Sequence, residues 1–345
     1  MISRKIMRAT LSALIIIGAI AFVSCDERNE PDLPQVVYTL KKNIVTPNSA
    51  MYVDADNDML AVAALSAGTY VYDIANPANP VELFHYPQRD TLYSSYVGMD
   101  GINGLVLTVS GPGVAPGDKY PIHDIETGDR IGGASFSAGV QAVEIVSSEN
   151  RFEAWRTDNS EGDGLGVSAY CYIPDSSRWR RDYCEVIPQG YFRGQQNLRG
   201  FGIRDSLVAV AESYYRIRIY NTEIGDNITT FFTTGDPQDC AWYGDYILVA
   251  DKVHFTVVSI ANIDTPVVVK TLTIPGADRL VQIVMDGTTA VLLDDSDGIY
   301  TVDVTTPTDP KFLQSISLPE PTSVTATNGK IIASDEQLGV LIYSR

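Results

Sequence analysis

Tyrosine, arginine and aspartate residues recur in the loop-like segments of this 345-residue chain, and polar-ligand and protein interfaces use such mixtures. A guanidinium or a carboxylate supplies directional hydrogen bonds, while a phenol ring supplies apolar area with one polar end. Ten residues of this kind are candidates for ligand binding: Arg89, Asp90, Arg193, Gln196, Arg199, Tyr214, Tyr215, Asp236, Asp278 and Arg279. For each of them the alternative is a solvated loop residue without a special role.

No segment carries a clear catalytic signature. The three histidines, His85, His123 and His254, have no partner at metal-ligand or triad spacing, and only His254 falls in a loop-like segment. A glycosidase requires two carboxyl groups held across the bond that it cleaves. With 43 acidic residues, the sequence offers no way to select that pair. We therefore predict no resident cofactor and lean against an enzyme.

Two acidic runs alternate oxygen-bearing residues as calcium loops do: residues 54–58 and residues 294–298. The first run lacks the central glycine and the closing glutamate of an EF-hand loop. Both runs lie where turns are expected, and Asp and Asn are frequent turn residues. We therefore predict turns and no metal site, and a structural Ca²⁺ has no support beyond the spacing.

The chain has 43 acidic and 25 basic side chains, which gives a formal net charge of −18 at pH 7. A field of this sign repels nucleic acid and anionic lipid headgroups. The charge therefore argues against a nucleic-acid partner, and it suits a water-facing surface or a cationic or neutral partner.

Seven apolar runs recur at intervals of 39 to 56 residues and indicate strands buried on both faces. The runs are Leu60–Leu65, Leu105–Ser110, Arg151–Arg156, Leu207–Glu212, Tyr246–Asp251, Thr289–Asp294 and Lys330–Asp335. Turn signals such as Asp286-Gly287 and Asn328-Gly329 precede them, and hairpins with proline-containing turns follow the clearest runs. Four strands per unit predict an all-β fold, a seven-bladed β-propeller of four-stranded antiparallel blades.

The last unit has only three strands before the chain ends, so another segment must complete it. Leu33–Leu40 resembles the proline-led fourth strands of the other units. We predict that this N-terminal strand completes the seventh blade and closes the ring, because closure removes an open sheet edge.

The repeated pattern is a strand such as Leu-Val-Ala-Val-Ala-Glu, a short turn, a strand of the form Ile-x-Ile-x-Asp, and then x-Pro-x-x-Pro. This pattern is similar to the LVIVD repeat, a propeller repeat of exported bacterial proteins. The best matches are residues 60–86, 246–274 and 289–318. The resemblance implies a propeller fold and a location in the cell envelope, but it implies no particular reaction.

Residues 1–24 have the basic start and the apolar stretch of a signal peptide. Ser24 directly before Cys25 resembles the lipobox of bacterial lipoproteins, although Phe22 stands where Leu is usual. The resemblance implies lipidation of Cys25, and an ordinary signal peptide is the alternative. Residues 25–33 form an acidic tether that resembles a signal for the outer face of the outer membrane. An Asp directly after the lipidated Cys means inner-membrane retention in other bacteria.

Cys171 and Cys184 flank a predicted hairpin tip, and in-register pairing places them opposite each other. An exported chain meets an oxidising compartment, so we predict a disulfide between them, with two buried thiols as the alternative. Cys240 is predicted to be a small core residue.

These observations divide the chain into a lipoprotein signal peptide (residues 1–24), an acidic tether (25–33) and a β-propeller (34–345). We expect an outer-membrane, lipid-anchored protein at the cell surface. Its expected role is a non-catalytic binding or scaffold module for an envelope protein or glycan, with the ligand at the loop-rich mouth. The alternatives are a polysaccharide hydrolase or lyase, which a buried carboxylate pair in the channel would favour, and a purely structural spacer.

Overall fold

The computed structural model of the chain describes residues 37–87, 94–110, 120–134, 140–158, 164–173, 178–180, 198–223 and 225–345. These residues form 28 strands in seven four-stranded antiparallel sheets, which confirms the predicted seven-bladed β-propeller. Within the same residues no helix is long and apolar enough to cross a lipid bilayer.

Each blade has four strands, and in blades 1 to 6 they follow the order of the chain from the central channel outward. The first strands are β2 (Tyr52–Asp56), β6 (Ser94–Asp100), β10 (Val140–Ser148), β14 (Leu198–Arg204), β18 (Pro237–Tyr243), β22 (Leu280–Asp286) and β26 (Pro321–Thr327). The second strands are β3 (Met59–Ala63), β7 (Leu105–Ser110), β11 (Arg151–Asp158), β15 (Leu207–Glu212), β19 (Tyr246–Asp251), β23 (Thr289–Asp294) and β27 (Lys330–Asp335).

The outer half of each blade consists of a third and a fourth strand. The third strands are β4 (Thr69–Asp73), β8 (Tyr120–Asp124), β12 (Leu165–Ile173), β16 (Arg216–Asn221), β20 (His254–Ser259), β24 (Gly298–Asp303) and β28 (Gly339–Ser344). The fourth strands are β5 (Val81–Tyr86), β9 (Arg130–Ala134), β13 (Arg178–Arg180), β17 (Asn227–Phe232), β21 (Val267–Thr273), β25 (Lys311–Ser317) and, for blade 7, β1 (Thr39–Ile44).

The hydrophobic core lies between neighbouring blades. Alternate residues of one strand serve opposite neighbours: Ala290 and Leu292 pack in the cluster shared with blade 5, whereas Val291 and Leu293 pack in the cluster shared with blade 7. Because side chains of a strand alternate between faces, a second strand buried on both sides is apolar along most of its length. All six residues of β23 are buried for this reason.

The ring closes through β1, which pairs antiparallel with β28 from Thr39 opposite Ser344 to Ile44 opposite Val340. Closure by an N-terminal strand is as predicted, but the predicted bounds of Leu33–Leu40 are wrong. The strand begins at Thr39 and lies at the edge of its sheet, where almost all of its residues are exposed. Because neither face is buried, its residues need not alternate between apolar and polar, and the sequence gives no pattern by which to locate it. The buried anchor of this segment is Tyr38, only 2% exposed.

Candidate binding site at the propeller mouth

We define the mouth as the end of the propeller that carries the loops joining second to third strands and the loops joining consecutive blades. Six of the ten predicted site residues are described, and all lie at this end: Arg199, Tyr214, Tyr215, Asp236, Asp278 and Arg279. The other four, Arg89, Asp90, Arg193 and Gln196, lie outside the described residues. Their role at the mouth stays a prediction.

A cavity of about 470 Å³ lies between the mouth loops of blades 4 and 5. We call it the tyrosine pocket, and its lining residues are Ser213, Tyr214, Tyr215, Gly235, Asp236 and Lys252. Three of these residues, Tyr214, Tyr215 and Asp236, were predicted as site residues from the sequence. Lys252 was not. The volume lies within the range of small-ligand pockets, which is roughly 300–1,000 Å³.

Tyr214 and Tyr215 form the tip of the β15–β16 hairpin, and both have a φ of +68°. Consecutive left-handed residues are typical of tight hairpin turns, where Asn-Gly is the preferred pair. A left-handed residue with a bulky side chain costs roughly 1–2 kcal/mol. The two rings are also exposed, Tyr214 by 70% and Tyr215 by 55%, so no packing within the described residues offsets that cost.

Backbone hydrogen bonds hold the walls of the pocket. The Thr233 amide donates to the carbonyl of Tyr215 at 2.9 Å, which ties the tyrosine turn to the loop entering blade 5. The Leu280 amide donates to the carbonyl of Lys252 at 2.8 Å, which ties the opposite wall to blade 6. Both tyrosine and lysine side chains therefore project from a fixed backbone, which lowers the entropy cost of binding a ligand.

Beneath the pocket lies the carboxyl group of Asp251, which is fully buried at the end of β19. It accepts hydrogen bonds from the Gly235 amide at 3.0 Å and from the hydroxyls of Thr233 and Thr256 at 3.1 Å. Burial raises its pKa above the ordinary value, and these hydrogen bonds oppose the rise. A Cβ at Gly235 would lie 2.6 Å from Oδ1 of Asp251, so the entering loop requires glycine there.

Asp236 is neutralised by neighbours within the site. Nη1 of Arg199 lies 2.8 Å from its Oδ1, and Nε2 of Gln238 donates to its Oδ2 at 3.1 Å. The Lys252 ammonium, by contrast, has no hydrogen-bond or ion-pair partner among the described residues. The tyrosine pocket therefore presents one uncompensated positive charge, two phenol rings and the hydroxyl of Ser213.

Asp278 and Arg279 lie at the mouth but not in the tyrosine pocket. Their backbone amides both donate to Oδ2 of the buried Asp294 at 2.7 Å, and the Arg279 side chain pairs with Asp295. The acidic run that begins at Asp294 is therefore a loop-bracing turn. The six described rim residues therefore do not all line one pocket, because Asp278 and Arg279 are not among the lining residues of the tyrosine pocket.

Behind the mouth, four first-strand residues with carboxyl groups line the channel: Asp54, Asp56, Glu144 and Asp239. Oδ2 of Asp54 accepts the Met99 amide of the next blade at 2.8 Å, and Oδ2 of Asp239 accepts the Ile283 amide of its next blade at 2.9 Å. With Glu144 they line a cavity of about 530 Å³. Sequence reasoning missed Glu144 and Asp239, because a carboxyl inside a strand pattern gives no signal of facing a channel.

Burial is the main cause of raised pKa values for the channel carboxyls. The pKa of Asp54 is raised to about 6 and that of Asp239 to about 7, in both cases by desolvation first. The pKa of Glu144 lies well above its usual range, because burial is reinforced by the nearby Asp239 and Asp54. Part of this acidic channel is therefore uncharged near neutral pH.

The three aspartates of the acidic run 54–58 have separate partners. Asp54 serves the channel, Oδ2 of Asp56 accepts the Gly101 amide at 2.9 Å, and Oδ1 of Asp58 pairs with Lys330 at 2.8 Å. No three His, Cys, Asp or Glu side chains among the described residues are grouped so that they could hold a metal ion.

Two histidines pack as strand residues. His85 stacks on Tyr70 with ring centroids 4.1 Å apart, and His123 lies 4.2 Å from the ring of Tyr86. Burial lowers the pKa of His123 to about 4, so this side chain is neutral at physiological pH. His254 begins β20.

Of the cysteines, Cys240 is buried and free, as predicted for a core residue. Cys171 is disulfide-bonded, whereas Cys184 lies outside the described residues, as does Cys25. The predicted register is wrong, because Arg180 and not Cys184 lies opposite Cys171 in the pairing of β12 with β13. The disulfide partner of Cys171 and the lipidation of Cys25 stay predictions.

Solved structures resemble this chain in fold at low sequence identity. The computationally designed Ika8 protein has a TM-score of 0.60 at 10% identity, with 89% of this chain and 99% of that chain covered. A chain in a crystal structure of the mitotic checkpoint complex has a TM-score of 0.66 at 11% identity, with 95% and 99% covered. Likeness at this identity concerns the fold alone. No curated protein matches the sequence.

The family model of the LVIVD repeat matches residues 50–88 and 234–273. These ranges coincide with blades 1 and 5, so two of the three blades that resembled the repeat in sequence are matched. The wall of the tyrosine pocket that carries Asp236 and Lys252 lies in a matched blade. The chain is thus a seven-bladed β-propeller that contains LVIVD repeats in its first and fifth blades.

Proposed function

We propose that this protein is a binding module of the bacterial cell envelope, anchored through lipid at Cys25, which captures an envelope protein or glycan at the tyrosine pocket. The observation that carries the proposal is the pair of exposed tyrosines in left-handed conformation, Tyr214 and Tyr215. Backbone strain that local packing does not require is characteristic of ligand sites.

Six other non-glycine residues among the described ones have a positive φ. Four of them are Asn or Asp, which tolerate that conformation: Asn57, Asn150, Asp205 and Asn328. Leu65 and Lys252 are single left-handed residues, whereas Tyr214 and Tyr215 are two in succession. A turn with Tyr at both positions is less stable than the same turn with Asn-Gly would be. A rigid aromatic pair at a surface offers a large contact area at a low conformational-entropy cost, which suits recognition.

The test is a capture experiment with the native lipoprotein in intact, surface-crosslinked cells, followed by mass spectrometry of co-purified proteins and glycan analysis of the bound material. We expect a stoichiometric partner with the unmodified protein and none with the double variant Tyr214→Asn/Tyr215→Gly. Thr39→Val, a change on the exposed edge strand far from the mouth, is the matched control and should retain the partner. Equal capture by both variants would remove the tyrosine pocket as the site.

A second candidate function is hydrolysis or lyase cleavage of an extracellular polysaccharide. The channel carboxyls favour it, because the pKa of Glu144 is raised well above its usual range and that of Asp54 only to about 6, so the two could act as an acid and a base. Glu144→Gln would then lower the release of reducing ends by about 100-fold or more while binding stays intact. Unchanged release, or no release by the unmodified protein, would reject this candidate.

A further inference from the structure

We propose that the ligand of the tyrosine pocket is a carboxylated glycan, whose sugar ring lies on Tyr214 and Tyr215 and whose carboxylate binds the ammonium of Lys252. This inference rests on the proposed function and names the ligand class for the same site. It follows from three properties of the pocket: its charge, its lining and its size.

The charge of the pocket points to an anion. Asp236 is compensated by Arg199 at 2.8 Å, and the carboxyl of Asp251 below the pocket is buried and already accepts three hydrogen bonds, from Gly235, Thr233 and Thr256. The Lys252 ammonium stays without a partner among the described residues. The whole chain has a formal net charge of −18. Interactions between charges farther apart than the Debye length of roughly 8 Å are largely screened at physiological ionic strength, so the charges close to the pocket dominate.

The lining of the pocket points to a polyhydroxylated ligand. Its six residues supply hydroxyls, an ammonium, a carboxylate and two aromatic faces, but no aliphatic side chain. The core of a protein interface is typically apolar and depleted of charged residues. Sugar rings need hydroxyl partners around the edge and an aromatic face below, and this pocket offers both. A glycan therefore fits better than a peptide segment.

The fixed backbone of the pocket supports selectivity. The carbonyls of Tyr215 and Lys252 are each held by an amide of another strand or loop, at 2.9 and 2.8 Å. The backbone that carries the rings and the backbone that carries the ammonium are thus both held at a cavity of about 470 Å³. A neutral sugar would use the rings alone, whereas a carboxylated sugar would also form a charge-assisted hydrogen bond.

The experiment is isothermal calorimetry with the full lipoprotein in detergent micelles. The probes are tetragalacturonate, its carboxyl-reduced neutral counterpart, and a glutamate tetrapeptide. We expect tetragalacturonate to bind about three- to fivefold more tightly than the neutral tetrasaccharide, because Lys252 is exposed and an ion pair in contact with water contributes modestly. Lys252→Gln should abolish this preference, while Lys252→Arg should retain it.

Failure of this inference differs from failure of the proposed function. Equal affinity for the two tetrasaccharides, an unchanged preference in Lys252→Gln, or tightest binding of the glutamate peptide would overturn the carboxylated-glycan assignment. Loss of the cellular partner in Tyr214→Asn/Tyr215→Gly would still uphold the pocket as a binding site. Retention of that partner would overturn the site itself. The melting temperature of each variant shows that it is folded.

Discussion

The hydroxyl of Tyr38 donates to Oδ2 of Asp286 at 2.5 Å, across 248 residues of sequence. Nη2 of Arg345 lies 2.7 Å from the same Oδ2 and donates to the hydroxyl of Tyr38, also at 2.7 Å. This network joins the residue before β1, the end of the first strand of blade 6 and the last residue of the chain. It therefore fixes ring closure at the end of the propeller opposite the mouth.

Tyr38→Phe should destabilise the protein, because Asp286 is 7% exposed and would lose one of its buried partners. Burial raises the pKa of Tyr38 to about 12, so the hydroxyl is a donor at every physiological pH. The expected loss of unfolding free energy is about 1–3 kcal/mol. Chemical denaturation measures it, with Tyr214→Phe at an exposed hydroxyl as the matched control. Equal stability of Tyr38→Phe and the control would show that the closure network contributes nothing.

Tyr214→Asn/Tyr215→Gly should stabilise the fold even though it removes the aromatic pair from the pocket. The two residues have positive φ, and relief of that strain is worth roughly 1–2 kcal/mol per residue. We expect a rise in melting temperature for the double variant and no rise for Tyr214→Phe/Tyr215→Phe, which keeps the strain. A lower melting temperature than that of the unmodified protein would mean that the tyrosines are needed for folding.

Asp239→Asn should stabilise the protein at pH 8, and by less at pH 5. The folded-state pKa of about 7 exceeds the ordinary value of 3.8, so between those pH values the native state binds more protons than the unfolded state. Stability from this group is therefore lost as the pH rises through the window, on the order of a few kcal/mol at pH 8.

The measurement is the difference in melting temperature between Asp239→Asn and the unmodified protein across pH 5 to 8. The difference should grow as the pH rises, while Asp264→Asn on an exposed turn should show none of this trend. A difference that is constant with pH would contradict a raised pKa at Asp239.

Gly200→Ala should destabilise the junction of blades 4 and 5. A Cβ at this position would lie 2.0 Å from Oδ1 and 2.7 Å from Cβ of Asp239. That carboxyl cannot move away freely, because it accepts the Ile283 and Cys240 amides. Overpacking of this kind costs typically about 1–3 kcal/mol.

A double-mutant cycle isolates the cause of that loss. In the Asp239→Ala background, Gly200→Ala should cost clearly less free energy of unfolding than in the unmodified protein. The same cost in both backgrounds would place the clash elsewhere.

The sequence predicted the second strands almost to the residue, because each is an apolar run buried on two sides and preceded by a local turn signal. Lys330–Asp335, for example, was predicted with the bounds that β27 has. The exposed strand β1 was misplaced because its position depends on pairing with β28 across the whole chain. The strands within a blade can therefore be predicted from the local sequence pattern, whereas the strand that closes the ring depends on contacts between residues far apart in the sequence.

The site was predicted only in part for the same reason. Tyr214, Tyr215 and Asp236 were selected by residue type and loop position, and blade packing places them in one pocket. Lys252 was not predicted, because the sequence does not show that Asp236 pairs with Arg199 and leaves Lys252 without a partner among the described residues. The strain at the tyrosine turn also has no sequence signature beyond the absence of Asn and Gly.

The most direct test of the account places the photo-crosslinking residue p-benzoylphenylalanine at Tyr215 in living cells, with Leu83 on an exposed outer strand as the control position. Irradiation produces a covalent adduct only where a ligand lies against the side chain. The account predicts a discrete adduct at position 215 and none at position 83. Absence of an adduct at 215, or adducts at both positions alike, would contradict the claim that the tyrosine pocket is the binding site.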